Sequence, residues 1–217
     1  MAKVRTKSSS RWLERQHADP YTQQARKQGY RGRAAFKLLE IQERDKILAK
    51  GMRVVDLGAA PGGWSQVAIK ILGSSGQLIA LDKLPMESLA GVDIVLGDFQ
   101  EQEIMDELRL RLNNQAVDLV ISDMAPNLSG ISSVDQPRSM GLAELALDFA
   151  QEVLKVEGNF LVKVFQGEGF EAYWSMLKRQ FKQVVIRKPK SSRRESREIY
   201  VLAKGFKGFI PEKAKGF

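Results

Sequence analysis

Apolar positions along this chain keep two alternating rhythms. Short, β-branched runs occur at RVVDLG (53–58), QLIALD (77–82), VDIVLGD (92–98), VDLVISD (117–123), NFLVKVFQ (159–166), QVVIRK (183–188) and EIYVLAK (198–204). Each has the length and composition of a buried strand. Between them the spacing turns helical. RAAFKLLEIQERDKIL (33–48) places Ala34, Leu38, Ile41 and Leu48 on one stripe and stops before Gly51, and GWSQVAIKIL (63–72), EQEIMDELRLRL (101–112), 138–156 and 168–180 read as further helices. Strands alternating with helices predict a parallel sheet with right-handed crossovers, and the last two runs, with no helix between them, predict an antiparallel hairpin at its edge. The expected fold class is therefore α/β, a mostly parallel seven-stranded sheet with helices on both faces. At 217 residues and without an internal repeat, one core suffices.

Charge adds a second pattern. The formal net charge is +8, but the charges segregate. Residues 1–33 hold 9 basic and 2 acidic side chains, residues 178–217 hold 13 and 3, and the stretch between them carries a balance of −9. Two cationic ends that can fold to one face suggest a polyphosphate partner such as RNA, although either block alone also suits a solvated tail. The expected organisation is a basic N-terminal RNA-binding extension (1–32), a catalytic domain (33–204) and a basic C-terminal tail (205–217). Cysteine is absent and His17 is the only histidine, so thiolate and imidazole metal sites are excluded. The opening MAKVRTKSSSR lacks the apolar segment of a signal peptide, and no apolar run is long enough to span a bilayer, so a cytoplasmic protein without a membrane partner is expected.

Chemistry concentrates at strand ends. VVDLGAAPGGW (54–64) joins the first strand to its helix through small residues and two consecutive glycines, which let a ligand approach the helix N-terminus. Its run G-A-A-P-G-G is not the dinucleotide fingerprint, and a plain tight turn would read the same way. However, Asp82, Asp98 and Asp123 end or follow the second, third and fourth strands, and ligands of open α/β sheets sit beyond those carboxyl ends. Three carboxylates there fit a ligand with ribose hydroxyls, an adenine amine and a sulfonium. Lys163 stands inside the apolar strand VKVF; alone, such a lysine more often snorkels or is salt-bridged.

DLGAAPGGW, SDMAPN, KVFQGEG and SREIY, with Lys37 on the preceding helix, resemble the FtsJ/RlmE family of ribosomal-RNA uridine 2′-O-methyltransferases across about residues 10–204. The resemblance implies a Rossmann-like SAM-dependent methyltransferase fold and a Lys-Asp-Lys-Glu tetrad, matched here by Lys37, Asp123, Lys163 and Glu198. It also implies S-adenosylmethionine as cofactor, with contacts from Gly62, Trp64, Asp82, Asp98 and Asp123. Asp82 would take the ribose hydroxyls, Asp98 the adenine amine, and Asp123 the region of the transferable methyl. The implied substrate is a uridine of large-subunit (23S) ribosomal RNA, modified late in assembly; a monomer is expected.

Methyl transfer to a ribose hydroxyl needs in-line approach and removal of a weakly acidic proton. A lysine serves as base where burial and a second cation disfavour its ammonium, and carboxylates act against that. Lys163 is the candidate base, Asp123 its orienting partner, and Glu198 the holder of Lys37 or of the substrate ribose; without the resemblance, Glu198 would read as an edge-strand salt-bridge partner. Methylation of a tRNA or an mRNA cap, and non-catalytic RNA binding by a ribosome-assembly factor, remain open alternatives.

Overall fold

The computed structural model describes residues 19–193 and 196–208. Expectations for residues 1–18 and 209–217 lie outside the described residues.

The elements run α1 (Pro20–Lys27), α2 (Ala34–Asp45), β1 (Arg53–Leu57), α3 (Gly63–Leu72), β2 (Gln77–Asp82), β3 (Val92–Leu96), α4 (Gln102–Leu112), β4 (Val117–Ser122), α5 (Ser132–Val153), β5 (Leu154–Phe165), α6 (Phe170–Gln180), β6 (Phe181–Arg187) and β7 (Glu198–Phe206). The seven strands form one sheet in the order β3-β2-β1-β4-β5-β7-β6. Strands β1 to β5 are parallel, and β7 is inserted antiparallel between β5 and β6. The order reverses between β1 and β4, which opens a crevice beyond their carboxyl ends.

Because side chains alternate across a strand, each run feeds two cores. Val55, Leu57, Val120, Phe160, Val162 and Val201 pack under α4, α5 and α6. Val54, Leu119, Ile121, Leu161, Tyr200 and Leu202 pack under α2 and α3. Helix α1 lies on α2 through the tilted Tyr21–Phe36 ring pair, whose centroids are 5.7 Å apart.

Three boundaries differ from the sequence reading. Helix α1 was not anticipated, since Ala25 is its one buried residue. Its start signal is nonetheless present: Asp19 caps it by accepting from the N–H groups of Tyr21 and Thr22, with Pro20 at the first helical position. Helix α5 begins at Ser132, upstream of Pro137, which reads as a breaker in sequence. It ends at Val153 rather than 156, and β5 starts at Leu154, opposite Val117, with an irregularity before its regular pairing at Asn159. Among the described residues no helix is long and apolar enough to cross a membrane.

Candidate active site

The turn after β1 is shaped by steric necessity. Gly58 has φ 77°, and a Cβ there would lie 2.7 Å from Met124 Cγ, so β1 and the segment after β4 can approach this closely only at a glycine. Gly62, at φ 106°, begins α3. The amide N–H groups of Gly63, Trp64 and Ser65 open that helix and have no place in its ladder, leaving donors and the positive end of the dipole at the helix N-terminus, just after the β1 turn.

A cavity of about 530 Å³ fills the crevice, walled by Gly58 and Ala60 on one side, by Asp82, Asp98 and Asp123 at the strand ends, and by Arg138 of α5. Asp82 is fixed by the N–H groups of Ala60 (2.9 Å) and Leu84 (2.8 Å), which leaves lone pairs on both carboxylate oxygens for ligand hydroxyls. Asp98 accepts the Gln100 N–H on Oδ1 at 3.1 Å, while its Oδ2 lies 3.9 Å from Lys83 Nζ. Gly62 and Trp64 are not in this lining. The Trp64 indole is buried, donates to the Ala34 carbonyl at 2.8 Å and packs 5.6 Å from the Tyr200 ring. Any contact of residues 62–64 with a ligand is therefore made by main chain.

Asp123 joins this cavity to a second cluster. Lys163, Tyr200 and Glu198 fall on the α2/α3 face by strand alternation, with Lys163 in register with Tyr200 and Phe165 with Glu198. Lys163 Nζ lies 3.0 Å from Asp123 Oδ1 and also donates to the Asp123 carbonyl. Lys37 Nζ lies 2.6 Å from Glu198 Oε1 and 3.0 Å from the Tyr200 hydroxyl. The Tyr200 hydroxyl donates to Asp123 Oδ1 at 2.8 Å, so the two lysine–carboxylate pairs are linked through it. Ser192 donates to Glu198 at 3.2 Å. The four tetrad positions thus converge, but Lys37 and Lys163 each hold their own carboxylate instead of facing one another.

Electrostatics follow from this arrangement. Burial alone would raise the Asp123 carboxyl, but Lys163 and Lys37, together with the hydrogen bonds of Tyr200 and Lys163, hold it below the ordinary carboxylate value. The same carboxylates act on Tyr200 in addition to burial, and its phenol is pushed well above its usual value, so it stays a neutral donor.

Two residues here were missed by the sequence reading. Tyr200 looks like strand filler, and only its place two residues after Glu198, on the same strand face, could have flagged it. Asp56, an aspartate inside an apolar strand, was a visible signal. It is fully buried, accepts from Ser65 Oγ at 2.7 Å, and its other oxygen has no partner. Burial, opposed by the Ser65 hydroxyl and reinforced by Asp123 and Asp82, pushes its carboxyl up to about 7.

A glycine cradle at a switch point, carboxylates at successive strand ends and an adjoining lysine–carboxylate cluster define a Rossmann-like methyltransferase that works with S-adenosylmethionine. The donor set fits that cofactor: acceptors for ribose and amine groups, free helix N–H groups for a carboxylate, and an anionic rim for a sulfonium. The profile of the FtsJ-like methyltransferase family matches residues 30–206, and the chain belongs to that family. It is 58% identical over 202 residues to the ribosomal RNA large subunit methyltransferase E of Alkalilimnicola ehrlichii, spanning 93% of this chain and 97% of that one. The protein of the same name from Cellvibrio japonicus is 54% identical over 94% of this chain and 97% of its own. The crystal structure of a putative ribosomal RNA methyltransferase from Plasmodium falciparum superposes with a TM-score of 0.75 at 28% identity, covering 83% of this chain and 100% of that one.

Proposed function

We propose that this methyltransferase transfers the methyl group of S-adenosylmethionine to the 2′-hydroxyl of a uridine in large-subunit ribosomal RNA, with Lys163 as the general base. The observation that carries the reading is the Lys37–Glu198–Tyr200–Asp123–Lys163 network at the edge of the cofactor cavity, in a chain more than half identical to ribosomal RNA large subunit methyltransferases. Asp82 and Asp98 would hold the ribose and adenine of the cofactor, and main-chain N–H groups at Gly63 and Trp64 its carboxylate. The bound cofactor supplies an electrophilic methyl on a positively charged sulfur.

The protein's own part is proton management and positioning. Lys163 Nζ gives two N–H groups to Asp123, one to the carboxylate and one to the carbonyl. In the amine form both N–H bonds are thereby engaged, and the single remaining tetrahedral position is the lone pair, which would accept the proton of the ribose hydroxyl. Lys37, held by Glu198 and Tyr200, offers its charge to the oxygen that develops negative charge as the proton leaves. The cytoplasm, where ribosomes assemble, is the compartment this function requires, and the cationic chain ends supply RNA backbone contacts.

Single-turnover transfer of labelled methyl tests the base. Arginine keeps the charge but does not deprotonate in a protein. Lys163→Arg and Lys163→Ala should both lose roughly 10²–10⁴-fold in rate with cofactor affinity retained. Substantial activity in the arginine variant would assign Lys163 a charge role instead.

A further inference from the structure

A second cavity, of about 700 Å³, opens between α1, α2 and the segment that follows β6. Nothing in the reaction above uses it. Its floor is the half-buried Tyr21 with Phe36 and Leu39, and its rim carries the exposed Arg44, Lys188 and Lys190. Among the described residues neither Arg44 nor Lys190 has an ion-pair partner. An aromatic floor under unpaired cations is the chemistry that takes an unstacked nucleobase, with the ring on the aromatic face and the phosphate on the rim.

Its location narrows the occupant. Glu40, in the wall, accepts the N–H groups of Lys190 (2.6 Å) and Ser191 (2.9 Å), and Arg33 donates to the Ser191 carbonyl, so the basic segment is latched onto the helix that carries Lys37. Lys188 Nζ donates to the Glu198 carbonyl at 2.7 Å. The cavity therefore shares both a helix and a strand end with the tetrad. Along α2, Lys37 and Arg44 are separated by about 10 Å, at 1.5 Å rise per residue, which is the scale of one or two nucleotides. Glu43 on the rim disfavours a second phosphate there and suits the exocyclic amine of a base.

We infer that this cavity binds a nucleobase of the RNA substrate immediately flanking the methylated ribose, stacked on Tyr21 with its phosphate held by Arg44 and Lys190. The inference rests on the RNA methylation proposed above. It gives α1 a part in the substrate site, since Tyr21 and Gln24 are the residues that α1 contributes to the cavity.

The test uses the full-length enzyme with large ribosomal subunits from cells lacking it. Tyr21→Ala should raise KM for subunits roughly ten-fold with kcat and cofactor affinity kept, and Tyr21→Phe, which retains the ring, should restore most of the loss. Lys190→Glu, at an exposed position, should raise KM similarly without unfolding the chain. With p-benzoylphenylalanine at position 21, the photo-crosslink should map within one or two nucleotides of the methylated position. A crosslink to a ribosomal protein, to remote RNA or to nothing would overturn the assignment, as would unchanged KM in Tyr21→Ala and Lys190→Glu. Failure of the wild-type enzyme to methylate subunits at all would instead refute the proposed function, so the two failures are separate.

Discussion

Tyr200 is the hinge of the active-site geometry, because a single hydroxyl serves Lys37, Asp123 and Glu198 at distances of 3.0, 2.8 and 3.4 Å. Tyr200→Phe leaves the ring on Trp64 but removes that link. Methyl transfer should fall roughly ten- to hundred-fold while cofactor affinity holds, and the fold should lose about 1–3 kcal/mol from the unpaired buried groups, measured by denaturant unfolding. Asp82→Ala separates from this. Loss of a charge-assisted contact to ribose should weaken S-adenosylmethionine binding by about 1.5–3 kcal/mol in calorimetry with the fold intact. Asp56 carries a pH signature. Its carboxyl is raised from 3.8 to about 7 in the folded chain, so the folded state binds the extra proton between those values. The associated stability is present below the ordinary value and is lost as the pH climbs from there through about 7. Asp45, Asp118 and Asp123 are held low and act in the opposite sense at lower pH. The comparison of wild type with Asp56→Asn isolates Asp56: the variant's thermal midpoint should exceed the wild type's by more at pH 8 than at pH 5. Parallel midpoints at both values would contradict the buried-carboxyl assignment.

At the level of elements, the site exists because of register. A slip of one residue of β7 against β5 would turn Tyr200 and Glu198 to the α4–α6 face while β4 kept Lys163 in place, and would dismantle the network. The approach of the β1 turn to Met124 is equally unforgiving. Gly58→Ala should destabilise the fold by at least about 2 kcal/mol, through the positive φ and the clash at 2.7 Å, and should reduce cofactor affinity as well. These elements differ in how far the sequence disclosed them. The seven strands were legible because each is a short, β-branched apolar run, and Asp82, Asp98 and Asp123 were legible because the runs end on them. The tetrad residues, dispersed from Lys37 to Glu198, became visible as a set through resemblance to a known family and not through spacing. Helix α1 was hidden because its stability comes from caps and ring contacts more than from an apolar stripe. The start of α5 was hidden by Pro137, inside the helix. Tyr200 was hidden because a buried strand tyrosine announces nothing until the strand across from it is known.

Over the whole molecule, the proposed function assigns the anionic middle to a cofactor with a cationic sulfur and the cationic ends to a polyanionic substrate. RNA affinity should therefore fall steeply with salt, with a log–log slope of roughly 0.7–0.9 per phosphate contact, while S-adenosylmethionine affinity barely changes. A flat RNA response, measured by filter binding from low to moderate salt, would mean that the basic ends do not touch RNA backbone. The proposed function is methylation of a ribose of large-subunit ribosomal RNA through Lys163. The most direct measurement is mass-spectrometric mapping of ribose methylation in ribosomal RNA from cells that lack the protein, carry it, or carry Lys163→Ala. One 2′-O-methyluridine in large-subunit RNA should disappear without the protein, return with the wild type and fail to return with Lys163→Ala; an unchanged methylation map without the protein, or full restoration by Lys163→Ala, would rule this function out.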